Sequence, residues 1–228
     1  MALHAVVTGD LVKSRKISAT DIQPVIESLK TTFNIINENL LAGEGNFQIY
    51  RGDSFQAFVP KPELALSVAI IIRAGLRMYE PSSSSSAKSN IGKTILHSYT
   101  DARVGIGIGE VSYKAQKATE SQGEAFVNSG KAFDGMINKN DCLAITTPWN
   151  ETNEELDVTC RMADALIKKW TASTAEAVYH HLLYGKNQKE LAAQFAITQP
   201  GVHKRLMVYG NMDSMEAFIN RFQKLIIK

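Results

Sequence analysis

Cysteine is nearly absent: Cys142 and Cys160 are the two in a chain of 228 residues. They match neither a zinc or iron–sulfur ligand run nor a secreted disulfide framework, which points to a reducing, cytoplasmic compartment. Long apolar runs are missing as well. The most apolar stretch, 64–72, falls well short of the ~20 residues that span a bilayer, and the start of the chain shows no basic leader or cleavage site. A soluble chain without membrane attachment is expected. No charge of one sign dominates, since 25 basic and 23 acidic residues leave +2, too little to imply nucleic acid. What is present is 44% hydrophobic residues, enough for a substantial core in one or two domains. The basic residues are uneven, with ten Lys or Arg against five Asp or Glu over 158–228.

Hydrophobic spacing divides the chain near residue 150. A short apolar strand over 4–8 runs into Gly9-Asp10, and 22–41 repeats Ile26, Leu29, Phe33, Ile36 and Leu40 at helical spacing. Strands over 47–50 and 55–59 flank Arg51-Gly52-Asp53-Ser54, which reads as a tight hairpin. Pro60 and Pro62 bracket the start of a helix over 63–79, and the serine run 82–86 suits a linker. A strand over 103–111, a helix over 124–136 and a strand over 142–146 complete the first part. The first six elements predict an α+β, split βαβ layout in which the first and third strands are antiparallel neighbours. That arrangement brings Asp10 and Asp53 to one edge of the sheet.

Two nearby carboxylates repel unless a cation joins them, and Mg²⁺ with phosphate as its remaining ligand suits such a pair. The alternative is that Asp10 caps a turn or helix and Asp53 is an ordinary hairpin residue. In Arg103-Val-Gly-Ile-Gly-Ile-Gly109, alternating glycines leave one strand face bare, so something approaches it closely. Either a helix or the base or ribose of a nucleotide would fit. Lys13, Arg15 and Arg51 lie near the aspartates in sequence, as phosphate partners or as solvated surface charges.

Thr8-Gly-Asp-Leu-Val-Lys-Ser-Arg15, Arg51-Gly-Asp-Ser-Phe-Gln56, the glycine strand and Gly123-Glu-Ala-Phe-Val-Asn-Ser-Gly130 together resemble the SatD family of bacterial proteins over nearly the whole chain. More distantly, residues 1–150 resemble the catalytic domain of class III nucleotidyl cyclases, with a ferredoxin-like fold. That resemblance implies metal binding by Asp10 and Asp53 and nucleotide contacts at Gly105, Gly107 and Asn128, and Arg15 and Arg51 join these as phosphate contacts by their nearness to the aspartates in sequence. Two positions depart from it. Ala132 stands where active cyclases carry a transition-state arginine, and Ile49 where they carry a base-reading lysine. Nucleotide binding is therefore favoured over turnover.

Residues 151–228 read as an all-α unit. A helix over 174–184 ends at Gly185, and Asn187-Gln-Lys-Glu190 has the pattern of a capping box. After the turn 196–198, Gln199-Pro200 opens another helix, and the segment 187–206 is similar to the helix-turn-helix of many bacterial regulators. By that likeness Thr198, Gln199, His203 and Lys204 would face a DNA major groove and Arg205 a phosphate. Such motifs also serve as packing modules. The expectation is a cytoplasmic transcriptional regulator that joins a nucleotide-binding domain to a DNA-binding tail, acting as a homodimer. An Mg²⁺-dependent enzyme on nucleoside triphosphates and a non-catalytic interaction protein are the alternatives.

Overall fold

The computed structural model describes residues 2–14, 17–50, 52–79, 100–113, 122–137 and 139–227. Arg15, Arg51 and the serine run 82–86 lie outside them. The chain opens with β1 (Leu3–Leu11), α1 (Ala19–Asn39), β2 (Asn46–Tyr50), β3 (Ser54–Val59) and α2 (Ala65–Met78). It continues with β4 (Ala102–Tyr113), β5 (Gln122–Gly123), α3 (Glu124–Asp134) and β6 (Leu143–Thr146). The fold is mixed α+β.

The sheet runs β2-β3-β1-β4-β5, with β6 parallel to β4 beside Val104–Gly107. β1 is antiparallel to both β3 and β4, the central position that a split βαβ layout gives its first strand. β4 pairs along its whole length and β3 from Ala5 to Asp10, so β1 is longer than the apolar run 4–8 alone suggests. At the β2–β3 hairpin Tyr50 faces Ser54, and Gly52 takes φ +80°, a left-handed conformation that glycine adopts without strain.

The alternation of β1 separates two faces. Ala5, Val7 and Leu11 enter the main core with Ala57, Val59 and Phe55 of β3 and with α1. His4, Val6, Thr8 and Asp10 take the other face. α2 has no polar stripe, because every residue from Ala65 to Arg77 is buried. A helix apolar nearly all round needs partners all round, and α2 packs against the sheet, α1, α5 and α8.

The helices that follow are α4 (Asn150–Ile167), α5 (Ala172–Tyr184), α6 (Gln188–Phe195), α7 (Gln199–His203) and α8 (Met212–Ile226). Lys204–Tyr209 continue α7 as a π-helical turn, closed by Gly210 N–H on the Arg205 carbonyl at 2.9 Å. Met212 and Met215 fill the interior beside Phe218 and Phe222, as expected of thioethers in an irregular core. Trp170 is wholly buried and donates its indole N–H to the Gly210 carbonyl. One apolar core extends from Phe33 and Phe55 through α2 to Trp170, Val178 and Phe222. No helix among the described residues is long and apolar enough to cross a membrane.

Candidate functional site

β1 ends at the edge of the sheet where β3 begins. Register pairs Asp10 with Ser54 on one side and with Arg103 on the other, and Leu11 N–H donates to the Asp53 carbonyl at 3.0 Å. The two aspartates thus meet at one end of neighbouring strands. Each already has a partner. Arg103 donates from Nε to Asp10 Oδ1 at 2.9 Å and from a terminal nitrogen to Oδ2 at 2.5 Å, a bidentate pair. Ser14 donates its hydroxyl to Asp53 Oδ2 at 2.6 Å.

The Asp10–Arg103 pair is neither buried nor free in water, with side chains 18% and 33% exposed. The guanidinium also lies over the Phe133 ring, 5.5 Å from its centroid. Its hydrogen bonds and charge pairing with Asp10 raise the Arg103 pKa above its ordinary value. Beside the pair, on the same face, Gln56 donates to the Thr8 hydroxyl at 3.2 Å, and Thr8 and Ser129 hydroxyls lie 3.0 Å apart. Since Ser129 donates to the Phe126 carbonyl, the proton between the two hydroxyls belongs to Thr8. This relay from β3 to α3 escaped the sequence reading, although polar residues at alternating positions 8 and 10 signal a polar strand face.

The bare glycine face has a different occupant from a nucleotide. A Cβ on Gly107 would lie 2.0 Å from Ser129 N, and one on Gly105 2.6 Å from Phe133 N. The helix α3 lies across β4, and the glycines let the two backbones approach. Gly105 and Gly107 are therefore corrected from nucleotide contacts to helix-packing positions. Asn128 is buried and donates to the Ile108 carbonyl at 2.8 Å, which ties the same helix to the same strand. Ile49 pairs with Phe55 on the core side of the sheet, and Ala132 is buried while Lys131 is exposed.

A second Arg–Asp group sits on the opposite side of β4's start, and sequence reading missed it. Arg73 of α2, fully buried, donates two hydrogen bonds to Asp101 at 2.9 and 2.8 Å and one to Asp164 of α4 at 2.8 Å. Arg77 adds a bond to Asp101 and bonds to the carbonyls of Lys168 and Trp170. Burial works against the Arg73 charge, but Asp101 and Asp164 outweigh it and hold its pKa above the ordinary value. Burial would raise Asp101, yet Arg73, Arg77 and the Ala102 N–H hold it below the usual carboxylate range. Both cysteines are buried, and burial pushes their thiols up, away from the thiolate that nucleophilic chemistry requires.

The C-terminal motif begins with the capping box that its sequence predicts. Asn187 Oδ1 accepts from Lys189 N and Glu190 N, while Glu190 reaches back to Asn187 N at 2.8 Å. Thr198 caps α7 by accepting from Gly201 N. Thr198, Gln199, His203 and Lys204 are exposed, with Gln188 of α6 touching His203 at 3.5 Å. Arg205 turns inward instead, 3.5 Å from Glu176 and over the Phe195 ring, so it joins α5, α6 and α7.

Among the described residues no three His, Cys, Asp or Glu side chains gather as a metal-binding group. No family model and no curated protein matches the chain. Solved structures do show similarity. The GGEEF domain of a diguanylate cyclase from Vibrio cholerae superposes with a TM-score of 0.40 at 8% identity, covering 65% of this chain and 85% of that one. A bacterial light-regulated adenylyl cyclase gives a TM-score of 0.37 at 13% identity, over 63% of this chain and 75% of its own. A further structure of a bacterial light-regulated adenylyl cyclase gives 0.37 at 14% identity, over 64% and 43%.

Proposed function

We propose that the protein is a cytoplasmic regulator whose sheet edge binds a nucleotide with Mg²⁺ and whose α6–α7 pair binds DNA. The observation that carries the nucleotide reading is the convergence of Asp10 and Asp53 at the ends of adjacent strands, beside an arginine that is only partly buried. Magnesium characteristically takes one or two carboxylates and completes its shell with water and phosphate oxygens, so this donor pair fits the ion. When bound, the ion would offset the negative charge of the phosphates. Ser14 holds the Asp53 carboxylate in place, and Arg103, anchored by Asp10 and Phe133, keeps a cation beside the site.

Binding rather than turnover is the better reading. The resemblance to cyclases places the transition-state arginine at Ala132 and the base-reading lysine at Ile49, and both are apolar residues that pack inward. Loss of one such arginine removes a factor of roughly 10³ from phosphoryl transfer. Calorimetry with ATP, GTP and their cyclic products, with and without Mg²⁺, tests the reading. Metal-dependent binding of a triphosphate, lost in Asp53→Asn, is expected; no binding to any of them overturns it.

DNA binding is supported by a separate observation, the exposed Gln199, His203 and Lys204 at the start of a well-capped helix. Such residues occupy the position from which a recognition helix meets base edges. Mobility-shift titration against a pool of random duplexes should yield a preferred sequence whose affinity falls steeply with salt and on Lys204→Ala.

A further inference from the structure

The helix α4 carries two apolar stripes, and one of them faces outward. Leu156, Cys160, Ala163 and Ile167 are buried against the sheet side. On the opposite side Val158 is 58% exposed and Met162 66% exposed, and Ala165 beside them is exposed too. A helix with one buried stripe ordinarily presents polar residues to water, so a second stripe at i, i+4, i+7 marks a contact surface.

Charge along this stripe identifies the occupant. Glu151 stands at its N-terminal end, seven residues before Val158, and Lys169 stands in the turn that closes the helix, seven residues after Met162. Both are exposed, and neither joins an ion pair among the described residues. A two-fold axis through the middle of the stripe pairs position i with position 320 − i of a second copy. Val158 then meets Met162, and Glu151 meets Lys169, each contact made twice. The stripe is thus apolar at its centre and complementary in charge at its two ends, while Ala165 falls opposite Glu155, which Arg221 holds.

We infer that α4 is the dimerisation surface, and that a second copy of this chain docks on it antiparallel, with Val158 and Met162 at the centre and Glu151 and Lys169 closing the two ends. The inference is independent of the nucleotide site. It supplies the two-fold symmetry that a single-copy helix-turn-helix requires for a palindromic site.

Sedimentation equilibrium of the full chain tests it. The wild type should be a reversible dimer. Met162→Asp and Val158→Asp should each raise the dissociation constant by roughly tenfold or more, because each places a charge at the centre of the interface. Circular dichroism should be unchanged, since both side chains are exposed. At low salt Glu151→Lys and Lys169→Glu should each weaken the dimer, and the two together should restore it. A monomeric wild type overturns the proposal, as does a dimer unaffected by Met162→Asp and Val158→Asp. A dimer broken by these two but not restored by the double charge exchange overturns the antiparallel register.

Discussion

Two Arg–Asp groups flank the start of β4, and their difference separates a structural role from an available one. Arg73, Arg77, Asp101 and Asp164 are enclosed by α2, α4 and the α4–α5 connection, and every guanidinium contact described is made within the protein. Arg103 and Asp10 make an equally close bidentate pair at a sheet edge that water reaches. Geometry is similar in both. Environment is not, and it sets the consequence: an uncompensated charge in the first group has no solvent to turn to, whereas either member of the second can be rehydrated or offered to a ligand.

The comparison breaks most visibly at Arg73. Replacing it with Met takes the buried guanidinium from both carboxylates, leaving Asp101 with Arg77 and Asp164 with Lys168 and the Cys142 N–H, and urea unfolding should show a loss of about 3 kcal/mol. The same cluster sets an acid limit. Asp101 lies below its ordinary pKa in the folded protein, so its contribution is complete above the unfolded value of about 3.9 and is lost as pH falls through the lower folded one. Thermal scans should therefore show the midpoint falling below about pH 4, more steeply in the wild type than in Asp101→Asn.

A smaller effect is expected on β4 itself. Gly107→Ala forces a methyl against the backbone of α3 and should cost about 1–3 kcal/mol. Gly130→Ala, on the same helix but with nothing within 4 Å of the added carbon, should be neutral or stabilising by up to about 1 kcal/mol. The smallest stability change belongs to Asp10→Asn, at most about 1 kcal/mol by chemical denaturation. The same variant should abolish Mg²⁺-dependent nucleotide binding in the calorimeter, which sharpens the contrast between the two groups.

Much of this architecture follows from local patterns. The order of strands and helices in the first part rests on apolar spacing, and the convergence of Asp10 with Asp53 follows from antiparallel pairing of the first and third strands. The Asn187–Glu190 capping box is read from residues three positions apart. Where the sequence left alternatives open, contacts between distant segments decide. Bare glycines announce a close approach, but not whether a helix or a ligand makes it; α3 does, through Ser129 and Phe133. Arg205 has a phosphate-facing position by motif, yet Glu176 and Phe195 hold it inward.

Arg73 is the clearest limit. In the sequence it is one polar residue in an apolar helix, with partners 28 and 91 residues away. Arg103 finds Asp10 across 93 residues. Periodicity, caps and turns depend on neighbours within one or two helical turns, and residue types alone therefore settle the elements, their order and which strand ends meet. Which charges are buried, which face of a strand is covered and which helix stripe stays exposed depend on how finished elements pack against one another, and those distances exist only once the chain has folded.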